Sequence, residues 1–264
     1  MTADGTSGLA SRPWAIVAAH ELRSLWLSAK GLTVLFGYTV LLSAMTYLAA
    51  TNSELNLLDA RESIAIIVQV AIGLGTLAAL VVSADAISGE RERDSLEALL
   101  LTPVPRRDLV IGKMLAASTM WLASIIVALP YAYSIAQGPA VGADAVLVLI
   151  TVGPLVGAAL TALGMAFSAV SLSNRVSLAA SIGILLVLAA PSQLPAIASR
   201  GALGSILVTI NPVSAGLKLA NTILIDQKTW ASQWTLIVSP VVAAILLTVV
   251  AVLASRRVRL GGSR

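Results

Sequence analysis

Six stretches of this chain are each long enough to cross a bilayer as a helix and contain no Asp, Glu, Lys or Arg: 31–50, 63–84, 114–136, 145–168, 176–199 and 234–254. A crossing helix needs roughly 20 apolar residues, and within lipid only helices and closed barrels satisfy every backbone polar group. Runs this long and this continuously apolar read as helices, since barrel strands alternate between two faces. Charged residues are 11% of the 264, against about 25% in a soluble domain, and the mean hydropathy is +0.92. So little charge cannot cover a water-facing surface. The expectation is an all-α integral membrane protein of six transmembrane helices, a single membrane domain with no soluble domain of its own.

The distribution of basic residues sets the expected orientation. With six spans and a cytoplasmic N-terminus, 13 of the Lys and Arg residues face the cytoplasm and 4 face outward. A seventh span over 201–217 would carry the arginine-rich tail outward. That segment, "GALGSILVTINPVSAGL", is short and interrupted by Asn211-Pro212. Proline removes a backbone donor and disfavours helix at the preceding residue. The whole 200–230 stretch is therefore expected on the outer side, with 201–217 re-entrant or interfacial. The basic pI near 9.8 is explained by cytoplasmic loops, and no nucleic-acid partner is expected.

Residues 12–30 are too polar to span. Trp14, Ala18, Leu22, Leu25 and Ala29 recur at helical spacing, away from His20, Arg23, Ser24 and Ser28. This pattern predicts an amphipathic helix on the inner membrane surface. Its apolar run is cut by His20, Glu21 and Arg23, and no clear cleavage site follows, so it is not read as a signal peptide. Both termini are expected in the cytoplasm of a multi-pass plasma-membrane protein.

The charge that the spans lack is gathered in one place. Of 30 acidic and basic residues, 11 lie between Asp85 and Lys113. The segment at 88–108 joins spans two and three on the cytoplasmic side. Its first half is expected as helix, capped imperfectly by Ser88, with an Arg93–Glu97 pair at i, i+4. Leu96, Leu99 and Leu100 make a small apolar patch, closed by Thr102-Pro103-Val104-Pro105. Asp108 is placed to cap the helix of span three. A solvated loop explains the charges, but a leucine patch among them describes a docking surface for a partner.

The run "ISGERERDSLEALLLTPVPRRDLVIGK" resembles the signature of the ABC type-2 permease family, the membrane subunits of type-2 ABC exporters. Ile87-Ser88, Glu90-Arg91-Glu92, Leu96-Glu97, Leu99-Leu100, Thr102-Pro103-Val104 and Gly112-Lys113 carry the resemblance. Asp94-Ser95 departs from the usual Gly-Thr, and with no glycine there the helix is expected to run on unbroken. The specific motif covers about 27 residues; the six spans, the "NPV" segment and the basic tail extend a weaker likeness along the chain.

The resemblance implies a coupling helix between spans two and three that docks a cytoplasmic ABC ATPase subunit. Glu90, Arg91, Glu92, Leu96, Glu97, Leu99 and Leu100 would meet or support the ATPase, with the N-terminal helix as a second contact. It implies a second permease subunit, identical or not, and ATP with Mg on the ATPase rather than here. The residues agree on the last point. The only Gly-Lys pair, Gly112-Lys113, is followed by Met114 and preceded by Arg107 where a phosphate-binding loop needs its first glycine.

Rival chemistries find little support. His20 is the only histidine, and Ser24 stands where a zinc-protease helix needs another. There is no cysteine. Asp85 and Asp144 fall at opposite membrane faces. The spans hold no mid-membrane ionisable group of the sort secondary transporters use. Gln69, a mid-span amide, is a candidate for either an interhelical hydrogen bond or a substrate contact. Gly153, Gly157 and Thr161 suggest close helix packing, and Pro154 and Pro240 helix bends. A pathway without fixed charge suits an amphipathic or lipid-like cargo. The reading is an ABC permease subunit, in all an exporter; the alternative is a non-transporting membrane scaffold or sensor that docks a cytoplasmic partner.

Overall fold

The computed structural model describes residues 12–51, 60–135, 139–193 and 202–258. Among them every regular element is helical. In chain order these are α1 (Pro13–Leu27), α2 (Ala29–Thr51), α3 (Ala60–Asp85), the short α4 (Ser88–Glu92) and α5 (Leu96–Leu100), α6 (Arg106–Ile135), α7 (Pro139–Val170), α8 (Asn174–Ala189), α9 (Ala202–Ile210), α10 (Pro212–Leu224) and α11 (Trp234–Ala254). Six of them, α2, α3, α6, α7, α8 and α11, are long and apolar enough to cross a membrane.

The six divide by burial. Half or more of the apolar window is buried in α3, α6 and α7, and under a fifth in α2, α8 and α11. The first three therefore form the core. The others turn side chains such as Phe36, Val187 and Ile245 outward, as a lipid-facing surface requires. At the centre the Trp121 indole of α6 lies against Gly75 of α3 and Gly153 and Gly157 of α7, and a Cβ at any of the three would collide with the ring. The Gly153/Gly157 pair thus acts as a packing notch for an aromatic side chain.

α1 docks on α6. It buries Val17, Ala18 and Leu25, and Trp26 Nε1 donates to Thr119 Oγ1 at 2.9 Å. The buried stripe differs from the one read off the sequence, because Glu21 falls within it and meets a lysine of α6. α1 ends at Ser28, whose extended backbone separates it from α2.

The segment before the last span is two short helices of 9 and 13 residues. Asn211 makes the corner. Its Oδ1 accepts from the backbone N–H of Val213 and Ser214 at 3.0 and 3.3 Å, while its Nδ2 donates to the Leu188 carbonyl at 2.6 Å. Pro212 occupies the first helical position, where no N–H is needed. α10 is buried along most of its length, and Gln69 Nε2 of α3 donates to Asn221 Oδ1 of α10 at 2.5 Å. Of the two roles open to Gln69, the hydrogen bond between helices is the one seen.

The charged residues sort to the two ends of the bundle. Arg61 at the start of α3 faces Asp144 of α7 at 3.8 Å. Asp85, at the other end of α3, lies with the charged segment.

Candidate functional site

The charged segment folds as two short helices, with a break where an unbroken one was expected. Asp94 adopts φ 54°, in the left-handed region. Asp tolerates this region better than most residues, so the position that is glycine in the family signature still makes a glycine-like turn. The turn is closed by Ser95 N–H donating to the Glu90 carbonyl at 3.0 Å. A helix running through would have aligned Arg93 with Glu97. Instead Arg93 Nη2 turns back to Asp85 Oδ2 at 3.4 Å.

α4 is anchored to the bundle at nearly every residue. The backbone N–H groups of Ile87 and Ser88 both donate to Ser168 Oγ of α7 at 2.9 Å, which satisfies the buried N-terminal end of the helix from outside. Ser88 lies inside the helix and does not cap it; its Oγ donates to the Ala84 carbonyl at 2.7 Å. Gly89 gives the Asp85 carboxylate room, since a Cβ there would collide with it.

Two ion clusters lie beneath α4. In the first, Lys113 Nζ of α6 reaches Glu90 Oε1 at 2.6 Å and Glu21 Oε1 of α1 at 2.7 Å. The lysine side chain is 1% exposed. Burial pushes the Glu90 carboxyl above its ordinary range, and the Lys113 ammonium opposes the shift. In the second, Asp85 accepts from Lys30 Nζ at the start of α2 and from Asn174 Nδ2 of α8 at 2.6 Å, besides Arg93. A cleft of about 220 Å³ separates α1 from α4, lined by Glu21, Lys30, Glu90, Arg93 and Lys113. Six elements, α1, α2, α3, α4, α6 and α8, thus converge through charged contacts at one end of the bundle.

The remaining side chains of α4 grip the α7–α8 connection and the start of α8. Arg91 Nη1 donates to the Ser171 carbonyl, and partial burial lowers the guanidinium pKa. Glu92 Oε1 accepts from Ser173 Oγ and from Asn174 N–H, each at 2.8 Å. These bonds at the N-terminus of α8 hold the Glu92 carboxyl below its ordinary value. In α5, Leu96 is 1% exposed and packs with Ile87, Val110, Met165, Ala169 and Val258. Leu99 and Leu100 are half-buried against the same cluster.

A family model described as ABC-2 family transporter protein matches residues 17–259. The chain belongs to this family. Over 53 residues it is 47% identical to the ABC transporter permease protein NatB of Bacillus subtilis (strain 168). That match covers 20% of this chain and 14% of NatB.

In this ABC-2 family protein the seven residues singled out in the charged segment divide into three groups. Glu90, Arg91 and Glu92 make contacts inward to α6, to the α7–α8 connection and to the start of α8. Leu96 is interior, and Leu99 and Leu100 sit at its margin. Glu97 alone among them is exposed without a contact to the bundle, and Leu101 beside it is 81% exposed. The apolar patch that faces solvent therefore centres on Leu101, with Ala98 and Pro103 also exposed. Sequence reasoning noted Lys113 as part of a motif but missed its role, and missed Glu21, Lys30, Asp85 and Asn174. One signal was available: Lys113 is the last charge before a long uncharged run, a place where a lysine is tolerated only with partners.

Proposed function

We propose that the chain is the permease subunit of an ABC transporter, an exporter of an amphipathic or lipid-like molecule. It works as a pair of permease subunits, each docking a cytoplasmic ATPase subunit that holds ATP and Mg. Both chain ends and the α4–α5 segment are then cytoplasmic, α1 lies along the inner membrane surface, and α9–α10 lies on the outer side.

One observation carries this reading. The α4–α5 segment is bonded to α3, α6, α7 and α8 by its inner residues and offers Glu97 and Leu101 outward. A surface held this firmly passes a push from a partner into α3 and α6, the two spans it connects. Membership of the ABC-2 family supports the class of partner. The apolar character of the spans, with Gln69 already bonded to Asn221, supports a cargo that needs no fixed charge along its path.

The test is co-purification in mild detergent from native membranes. Wild type should bring down a phosphate-loop ATPase in stoichiometric amount, and Glu97→Arg should lose it while remaining folded and inserted. An unchanged complex with Glu97→Arg rejects the docking assignment. Docking without any effect of candidate cargo on ATPase rate would instead indicate a scaffold or sensor.

A further inference from the structure

We propose that the groove between the start of α6 and the end of α11 is a binding site for one anionic phospholipid of the cytoplasmic leaflet. The inference rests on the cytoplasmic placement of this end of the bundle given above. It concerns a surface distinct from α4–α5.

The groove has a volume of about 730 Å³. Its lining includes Arg106, Arg107 and Arg256 and no acidic residue. Among the described residues none of the three arginines has an ion-pair or hydrogen-bond partner. Every other basic cluster at this end of the bundle contains a carboxylate: Lys113 has Glu21 and Glu90, and Lys30 and Arg93 have Asp85. Three unpaired cations around one concavity call for an anion. The first-turn N–H groups of α6, which begins at Arg106, add positive potential at the same place, and the Asp108 carboxylate of that turn, which opposes it, is not part of the groove lining.

The arrangement along the helices selects the kind of anion. On α11, Val249, Val252 and Leu253 line the groove above Arg256. Val249 lies seven positions from Arg256, roughly 10 Å deeper along the axis. On α6, Ile111 lies above Arg106 and Arg107 in the same sense. Both walls are thus cationic at the membrane surface and aliphatic deeper in. A phospholipid has this same profile, an anionic phosphate followed by an acyl chain, and a free phosphate ion would leave the aliphatic wall uncovered. Basic pockets between membrane helices on the cytoplasmic side suit anionic headgroups. Planar guanidinium groups also bind phosphate in bidentate fashion.

The experiment is native mass spectrometry of the purified permease alone, titrated with phosphatidylglycerol or phosphatidylcholine. Wild type should retain one phosphatidylglycerol in preference to phosphatidylcholine. Arg106→Gln/Arg107→Gln/Arg256→Gln should weaken that retention by about 100-fold, from roughly fivefold per charge. Val252→Trp, which fills the aliphatic wall and keeps every charge, should weaken it as well. Arg12→Gln/Arg23→Gln, exposed arginines outside the groove, should not. Equal retention of the two lipids overturns the proposal. So does a loss of equal size in the Arg12/Arg23 variant, or full retention in both groove variants. Co-purification of the ATPase with the triple variant is read separately. Loss of the ATPase with lipid retained would assign the groove to the protein partner and overturn the lipid site. Because the lipid readout uses the permease without ATPase, failure of the docking reading leaves it interpretable.

Discussion

Lys113 Nζ lies 2.6 Å from Glu90 Oε1, under a short helix whose exposed face is offered to solvent and whose inner face is charged. The lysine is buried at the first turns of a membrane span and bonded to two carboxylates from different elements. It therefore joins the α4–α5 segment, the N-terminal helix and span three in one unit.

Breaking that unit should be costly. Lys113→Met leaves the half-buried Glu21 and Glu90 side by side with no cation, an uncompensated arrangement that costs up to about 3–5 kcal/mol. The variant should show a large drop in melting temperature in detergent and low yield. Adding Glu21→Gln and Glu90→Gln to Lys113→Met should recover a substantial part of the loss. If Lys113→Met melts like wild type, the cluster is not holding the segment.

Charge reversal separates inner from outer residues of the same short segment. Glu97→Arg should stay within about 0.5 kcal/mol of wild type, since an exposed substitution without contacts changes stability little. Glu90→Arg sets a third cation against Lys113 and should destabilise the fold. Thermal melts of the two variants, beside ATPase co-purification, test the division: Glu97→Arg loses the partner alone and Glu90→Arg loses both.

Glu92 should contribute acid-sensitive stability. Its folded-state pKa is held below its ordinary value of 4.5, chiefly by the Ser173 hydroxyl and then by the Asn174 N–H. A depressed carboxyl stabilises the fold above its unfolded value, and the contribution disappears as pH falls through the folded value. Glu90 has the opposite sign: its raised pKa favours the fold at low pH and erodes it as pH climbs above the ordinary value. The melting difference between wild type and Glu92→Gln isolates the first effect. It should be positive at neutral pH and shrink on acidification; a difference constant with pH would count against the bonds at α8.

The Trp121 notch should reject side chains. Gly153→Val pushes a methyl-bearing carbon into the indole, and overpacking of this kind costs about 1–3 kcal/mol. Trp121→Ala removes a buried aromatic and costs about 3–5 kcal/mol. The two together should cost less than their sum, because the alanine vacates the space the valine needs. Additive losses in a double-mutant melting cycle would mean that the two sites do not meet.

Asp94 tests the turn between α4 and α5. Asp94→Gly should be neutral or stabilising, by up to about 1 kcal/mol, because glycine reaches positive φ without strain. Asp94→Ile should destabilise by about 1–2 kcal/mol, since a β-branched residue is strained there. Equal melting temperatures for the two variants would place the residue in an ordinary helical conformation.

Much of this protein was legible without coordinates because the governing signals are local. Six runs such as 63–84 are apolar in every direction around a helix, and any solvent other than lipid would penalise them. The corner at Asn211-Pro212 follows from the missing N–H of proline and the preference of asparagine for a cap. The concentration of charge between Asp85 and Lys113 is likewise a property of the chain as written.

Which charge meets which was decided only by the tertiary structure. Glu90 and Lys113 are 23 positions apart, Glu21 and Lys113 92, and Gln69 and Asn221 152. No periodicity links such pairs, and each depends on which helices pack together. The break at Asp94 belongs to the same class. The local pattern favoured one continuous helix, but Arg93 has Asp85 to reach and Leu96 has an apolar cluster to enter, and only a turn allows both. That turn points Glu90 inward and Glu97 outward. Sequence by itself determined that a charged, helical segment lies between two membrane spans; burial and ion pairing decided which of its faces is left exposed.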